Sequence, residues 1–316
     1  MRYSKNSFIV IIFSVLCFML SSTAYAKELP VLKNVEVAVD INYDGDDLYE
    51  YSYTVTNPED NTGLIWSISL DVSTDEDRVK LSSRGLYVKQ IYTYKNELWF
   101  KSFDDMVVHL GELLKEQMVP VGTDFPNNWR SGLSVDGEVA WGSRKKEYRI
   151  HPGQSQGGLY VISRGLPGIR DIIIKPKWTF MTEGSVTKED IEYSRETKKK
   201  IAFYGKTIGP VAPLKAFKSI DFIDYLMDLK HKAEDYGWIR IEGAQGIIQS
   251  LDQKLENAKE KIERGDGIAA KNILEAFLKE VEAQGCDSQD CPSDKHLLPE
   301  AYALLKFNAE YLIDNL

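Results

Sequence analysis

The stretch Val35-Glu36-Val37-Ala38-Val39-Asp40-Ile41-Asn42-Tyr43, followed after Asp44-Gly45-Asp46-Asp47 by Tyr49-Glu50-Tyr51-Ser52-Tyr53-Thr54-Val55-Thr56, decides the fold class. Val35, Val37, Val39, Ile41 and Tyr43 share one face and Glu36, Asp40 and Asn42 the other. This period of two marks a half-buried strand. The second run alternates in the same way, with Tyr49, Tyr51, Tyr53 and Val55 against Glu50, Ser52, Thr54 and Thr56, and the Asp-Gly pair between them predicts a hairpin.

Working outward, a third strand is expected at 64–72, after the Asn57-Pro58 turn, and further strands at 85–93, 96–101, 136–141, 146–151, 158–163 and 169–175. Short strands at regular spacing separated by turn clusters such as Pro152-Gly153 predict an antiparallel β-sandwich. Met106, Val107, Leu110, Leu113, Leu114 and Met118 break that rhythm with helical spacing and predict a helix over 103–118 inserted in the sandwich.

Beyond 206 the pattern changes. The stretch 207–217 carries Pro210 and Pro213 and no periodicity, which reads as an interdomain linker. Ser219 is expected to cap a helix carrying Ile220, Ile223, Leu226, Met227 and Lys230. In the next helix Ile248, Leu251, Leu255, Ala258 and Ile262 are spaced three and four apart, and Gly265 closes it. Asp266 caps a third helix through Ala270, Leu274, Phe277 and Val281, and Pro299 opens a last one through Ala301, Leu305 and Leu312. The expectation is an α+β chain: a β-sandwich domain over 27–206, the linker, and an antiparallel helical bundle over 218–316 that folds by itself.

The run Gly246-Ile247-Ile248-Gln249-Ser250-Leu251-Asp252-Gln253-Lys254-Leu255, the Arg264-Gly265-Asp266 turn and the Phe277-x3-Val281 end resemble the FIMAH domain, over residues 238–316. The resemblance implies an accessory helical module at the end of a secreted bacterial protein, with no catalytic residues to carry over. This chain departs from the family by inserting Gly285-Cys286-Asp287-Ser288-Gln289-Asp290-Cys291 between two of the helices.

Residues 1–26 combine Arg2 and Lys5, an uncharged apolar run over 8–20, and Ala24-Tyr25-Ala26, the pattern of a cleaved secretory signal. Thirteen apolar residues fall short of the ~20 that span a bilayer as a helix. Cys17 lies mid-run behind Ser14-Val15-Leu16 and should leave with the leader. Losing Arg2 and Lys5 takes the formal net charge of the 316-residue chain from −9 to −11. An acidic chain without a basic stripe argues against nucleic acid as a partner. Export also brings Cys286 and Cys291 into an oxidising compartment, where they are expected to form a local disulfide. A metal site made by those thiols with His296 matches no standard zinc spacing.

Chemistry-bearing motifs are few. Asp40, Asn42 and Asp44 with Gly45 match the first half of a calcium loop, but Tyr51 stands at position twelve and Glu50 comes one residue early, so a solvated acidic turn is expected and no metal. Gly153-Gln154-Ser155-Gln156-Gly157 fits the nucleophile elbow G-x-S-x-G, the basis of an alternative reading as a secreted serine hydrolase using Ser155. An elbow needs a helix after its serine, and Leu159-Tyr160-Val161-Ile162 reads as strand. His109, His151 and His231 have no partner cluster in sequence. Arg144-Lys145-Lys146 and Lys198-Lys199-Lys200 read first as solvated turns, with an acidic polysaccharide or lipid headgroup as the functional alternative. Trp66, Trp99, Trp129, Trp141 and Trp178 fall in the sandwich region, either as core or as faces that stack on sugar rings or protein partners. The sum is an exported, non-enzymatic protein without cofactor that recognises an extracellular or periplasmic protein or glycan. Mass spectrometry of the processed protein from its native envelope should find Lys27 as the first residue; a chain that still carries residues 1–26 would contradict the leader.

Overall fold

The computed structural model describes residues 29–43, 48–73, 122–133, 138–179, 186–214, 216–287 and 291–316. The leader, the helix expected over 103–118, the strands expected over 85–93 and 96–101, the Asp44–Asp47 turn, Trp99 and His109 lie outside the described residues.

The opening hairpin forms as its alternation requires. Strand β1 (Glu36–Tyr43) pairs antiparallel with β2 (Tyr49–Asn57), in a register that sets Val39 opposite Tyr53 and Asp40 opposite Ser52. Asp40 is thus committed to a strand, away from the calcium-loop geometry. β2 next pairs with β7 (Gln154–Ser163), and β7 with β4 (Gly122–Asp124), giving one antiparallel sheet in the order β1-β2-β7-β4. The second sheet runs β5-β6-β3-β8-β9, with β3 (Ile65–Asp71), β5 (Trp129–Leu133), β6 (Glu138–Ser143), β8 (Leu166–Pro176) and β9 (Phe203–Val211). All of its pairs are antiparallel too.

The two sheets close over one core as a β-sandwich. Tyr51, Tyr53, Val55, Leu159 and Val161 of the first sheet meet Ile68, Leu70, Val139, Trp141, Ile172 and Ile174 of the second, all fully buried or nearly so. The Tyr53 and Trp141 rings lie 5.7 Å apart. Tyrosines that face such a core need partners for their hydroxyls. Tyr53 donates to the carbonyl of Ile208 on β9 at 2.9 Å, and Tyr51 to that of Gly165 at 2.7 Å. Burial holds both phenols well above their ordinary pKa.

Three expectations are corrected. Residues 207–211 are not linker: they complete β9, which pairs with β8 from Ile174 opposite Phe203 to Leu166 opposite Val211. Pro210 is tolerated because β9 is the edge of its sheet, where one missing N–H costs no ladder bond. A Cβ on Gly209 would come within 3.0 Å of Arg170 Cγ and 3.3 Å of the Tyr53 hydroxyl, closer than ordinary contact. Over 146–151 there is no strand. Lys146–Tyr148 make a 3-10 turn, and only Ile150 bridges to Ile65. Ser219 is already helical, since the helix begins behind Lys218, which makes no side-chain cap.

Among the described residues five helices follow or interrupt the strands: α1 (Lys188–Ile201), α2 (Ser219–Asp235), α3 (Gln245–Glu263), α4 (Gly267–Gln284) and α5 (Pro299–Asp314). The expected stops and starts of the later helices are present. Gly265 has φ 72°, Asp266 accepts a bond from the Ala269 amide, and Pro299 occupies the first turn of α5. α1 was not expected; its polar face conceals the capping box in which Thr187 and Asp190 exchange side-chain and backbone bonds. Helices α2, α3, α4 and α5 pack on one another, with Leu226, Leu251, Leu255, Phe277 and Leu305 in their shared core. Lys230 sits in the apolar stripe of α2 with its side chain fully buried; its ammonium contacts Glu234 and lies 2.7 Å from Asp252 of α3. Cys286 and Cys291 are joined in a disulfide across a separation of 5 residues, beside the Gly285–Leu297 bridge.

α5 is apolar on nearly all sides, as a helix covered from both directions must be. It touches α2 and α4 on one side and β1, β8 and β9 on the other. There Phe307 packs edge-on against Tyr49, with ring centroids 5.4 Å apart, and the buried Asn308 amide donates to the carbonyls of Pro167 and Leu304, both at 2.8 Å. At the same junction Glu300 is buried and close enough to Asp40 to be repelled by it; burial first, then that repulsion, push its pKa up. Asp40 is raised as well, by burial and by Asp287.

Two outcomes are expected. Asn308→Ala leaves the Pro167 carbonyl without its donor and should lower unfolding free energy in urea by about 1–3 kcal/mol. For Glu300, a folded-state pKa above the unfolded value means that the penalty is absent below the unfolded value, near 4.3, and grows to its full size as pH rises through the folded one. Glu300→Gln should therefore remove part of a stability loss seen on going from acid to neutral pH. Parallel stability profiles for the two proteins across that window would show the carboxylate to be indifferent.

Candidate functional site

A β-bulge builds the site. Strict alternation along 64–72 would turn Trp66 to the same face as Ile68 and Leu70, into the core. The register between β3 and β8 slips between Ile65 and Ser67, so both Ile65 and Ile68 point inward although they are three residues apart. The extra residue, Trp66, is turned outward and stands 37% exposed, whereas Trp129 and Trp141 are both core residues at 1%. The start of β3 is held by a buried clasp. Asn57 donates to the carbonyls of Gly63 and Ile150, each at 3.0 Å, and receives a bond from Asn61 at 2.9 Å.

Around Trp66 the outer face of the second sheet is cationic. Arg130 of β5 pairs with Gly142 of β6, and Gly142 with Ser67 of β3, which puts these three in one outward row. Lys177 follows β8 with its backbone amide on the Leu64 carbonyl, and its ammonium sits 4.7 Å above the Trp66 ring. Two open depressions meet at this pair. One, of about 530 Å³, is lined by Arg130, Arg144 and Arg149 together with Gly142 and Ser143. The other, of about 630 Å³, runs from Trp178 to one face of α1, where Asp190, Ile191, Ser194, Arg195 and Lys198 recur at helical spacing.

The groove thus gathers six cations, Arg130, Arg144, Arg149, Lys177, Arg195 and Lys198, against the single carboxylate of Asp190. That carboxylate is engaged by the Thr187 amide and hydroxyl, bonds that also hold its pKa low. Among the described residues none of the six cations lies within ion-pair distance of a carboxylate, and the Arg149 Nε is buried without a hydrogen-bond partner. Guanidinium forks in such a setting donate to carboxylate or sulfate oxygens two at a time.

Of the two basic runs in the sequence, the fold selects one member each. Arg144 and Lys198 line the groove, while Lys145 pairs with Glu147 and Lys199 with Glu196. Arg130, Arg149, Lys177 and Arg195 escaped sequence reading because they are scattered along the chain and meet only through sheet pairing and the placement of α1.

The other candidates are placed elsewhere. Ser155 lies inside β7 opposite Thr56, with the two hydroxyls 2.8 Å apart, and strand rather than helix follows it. His231 is 3.5 Å from Asp252 on the far helices. The Cys286 and Cys291 thiols are consumed in their disulfide, and the nearby His296 has its Nδ1 buried without a partner among the described residues. No group of three or more His, Cys, Asp or Glu side chains among the described residues could hold a metal ion, and no helix there is long and apolar enough to cross a membrane.

No family model matches the chain, and no curated protein matches it. Among solved structures the chain is similar to an uncharacterized protein from Nocardia farcinica described as having an immunoglobulin-like fold. That likeness has a TM-score of 0.25 and 9% identity, and covers 57% of this chain and 98% of the other.

Proposed function

We propose that the mature chain is an exported, non-enzymatic recognition protein that holds an acidic extracellular glycan in the groove around Trp66. Helices α2 to α5 would form an antiparallel bundle that serves as an accessory or docking module, in the manner of the FIMAH domains that 238–316 resembles. One observation carries the reading: six cations and two exposed or half-exposed tryptophans converge on one open groove of a chain whose net charge is −9. The remaining surface of such a chain repels anions, so a local concentration of positive charge has a strong orienting effect on an anionic partner. Indole faces add what a phosphate-binding patch lacks, a surface for the C–H face of a sugar ring. The open shape suits a chain that lies across it better than a small molecule that must be enclosed.

The test is isothermal titration of the full mature protein with heparin and with polygalacturonate. Binding is expected at low salt and should weaken as ionic strength rises. The double change Arg144→Glu and Arg195→Glu should lower affinity at least about tenfold while leaving the thermal transition in place, a loss of ~1.4 kcal/mol. Failure of both polymers to bind, or binding that ignores the double change, would remove the proposal.

A further inference from the structure

We infer that the two lobes of the groove hold two successive anionic residues of one glycan chain, with Lys177 shared between them and Trp66 acting as the residue that positions Lys177. This deepens the reading of the groove as a glycan site and rests on it. Three observations lead to it.

Lys177 and Trp66 are the two residues that line both lobes. All the other cations belong to one lobe only: Arg130, Arg144 and Arg149 to the first, Arg195 and Lys198 to the second. Each lobe separately falls within the ~300–1,000 Å³ range of ligand sites. A single anion would satisfy one lobe and leave the cations of the other without a counter-charge. A chain with an anionic group on each sugar can satisfy both, and links the two binding events so that the second is intramolecular.

The lysine is held in place for that role. Its backbone amide bonds to the Leu64 carbonyl at 3.1 Å, and its ammonium rests over the indole of Trp66 at 4.7 Å. The indole face under the ammonium is therefore taken and is not the surface on which a sugar stacks. Trp178, the next residue, lines the second lobe alone. Trp66 acts through Lys177, and its outward turn at the bulge is what places that cation on the ridge between the lobes.

The experiment is a length series of unbranched oligogalacturonates, from one to six residues, titrated into the full mature protein. Affinity should be weak for the monomer, step up at least about tenfold at the length that first reaches both lobes, and then level off. Lys177→Ala should abolish the step while leaving monomer affinity within about twofold. Trp66→Leu should reproduce Lys177→Ala, Trp66→Phe should retain the step, and the double variant should be no weaker than either single one. A smooth rise with length and no step would overturn the two-lobe inference and leave the groove reading intact. Equal losses for monomer and hexamer in Lys177→Ala, or additive losses in the double variant, would overturn the shared-lysine assignment. Absence of any binding by heparin, polygalacturonate and the oligomers alike would overturn both. Tighter binding of single-stranded oligothymidylate, or of vesicles containing anionic phospholipid, would assign the groove to another class of polyanion and overturn the glycan.

Discussion

The hydroxyl of Tyr53 crosses the sandwich to the carbonyl of Ile208, and most of the structure depends on the row of side chains to which that tyrosine belongs. Tyr49, Tyr51, Tyr53, Val55 and Asn57 all point inward from β2. Tyr51 and Tyr53 fasten the first sheet to backbone carbonyls across the core, and Tyr49 meets Phe307 of α5. Asn57 fastens the loop that leads into β3. A polar group this deep is costly unless its partner is in place, so each of these contacts fixes the position of what it touches. One strand thereby sets the spacing of the sheets, the seat of the helices and the starting point of the strand that carries Trp66.

That starting point determines the groove. Had β3 kept strict alternation, Trp66 would compete for the space held by Trp141 and Ile68, and the outer face would lack its aromatic. The bulge resolves the conflict by spending one residue of ladder, and it does so next to Gly142, whose missing side chain leaves the row between Arg130 and Ser67 open. β-bulges commonly re-aim side chains beside binding or catalytic sites. Here the re-aimed side chain carries no charge of its own, yet it sets where the charge of Lys177 stands.

The legible parts of this molecule were those governed by local periodicity. β1 and β2 follow from their alternation, and α3 and α4 follow from three–four spacing with Gly265 and Asp266 between them. The disulfide follows from an even cysteine count under the expectation of export. What escaped reading has a physical reason in each case. β9 contains Gly209 and Pro210, which weaken any strand signal, and both are admitted only because an edge is free and a tyrosine hydroxyl lies across from the glycine. α1 buries little, so it has no apolar stripe, and its Thr187–Asp190 box was its one local mark. The groove was least legible, because its cations come from β5, the β6–β7 connection, the end of β8 and α1, and no ten consecutive residues contain more than two of them.

The contrast between the groove and the rest of the chain bears on how selective such a surface can be. Six cations without ion-pair partners among the described residues repel one another, so each is held against a local electrostatic cost that an incoming anion relieves. Arg264, Lys232 and Lys259, by contrast, are each paired with a carboxylate on the helices, and an anion approaching them must first displace it. Exposed pairs of that kind contribute little to stability, but they neutralise their surroundings. These three helix cations are therefore neutralised by neighbours on the helices, whereas the six of the groove are not. Under the proposed glycan reading, that contrast would steer an acidic chain to the outer face of the second sheet.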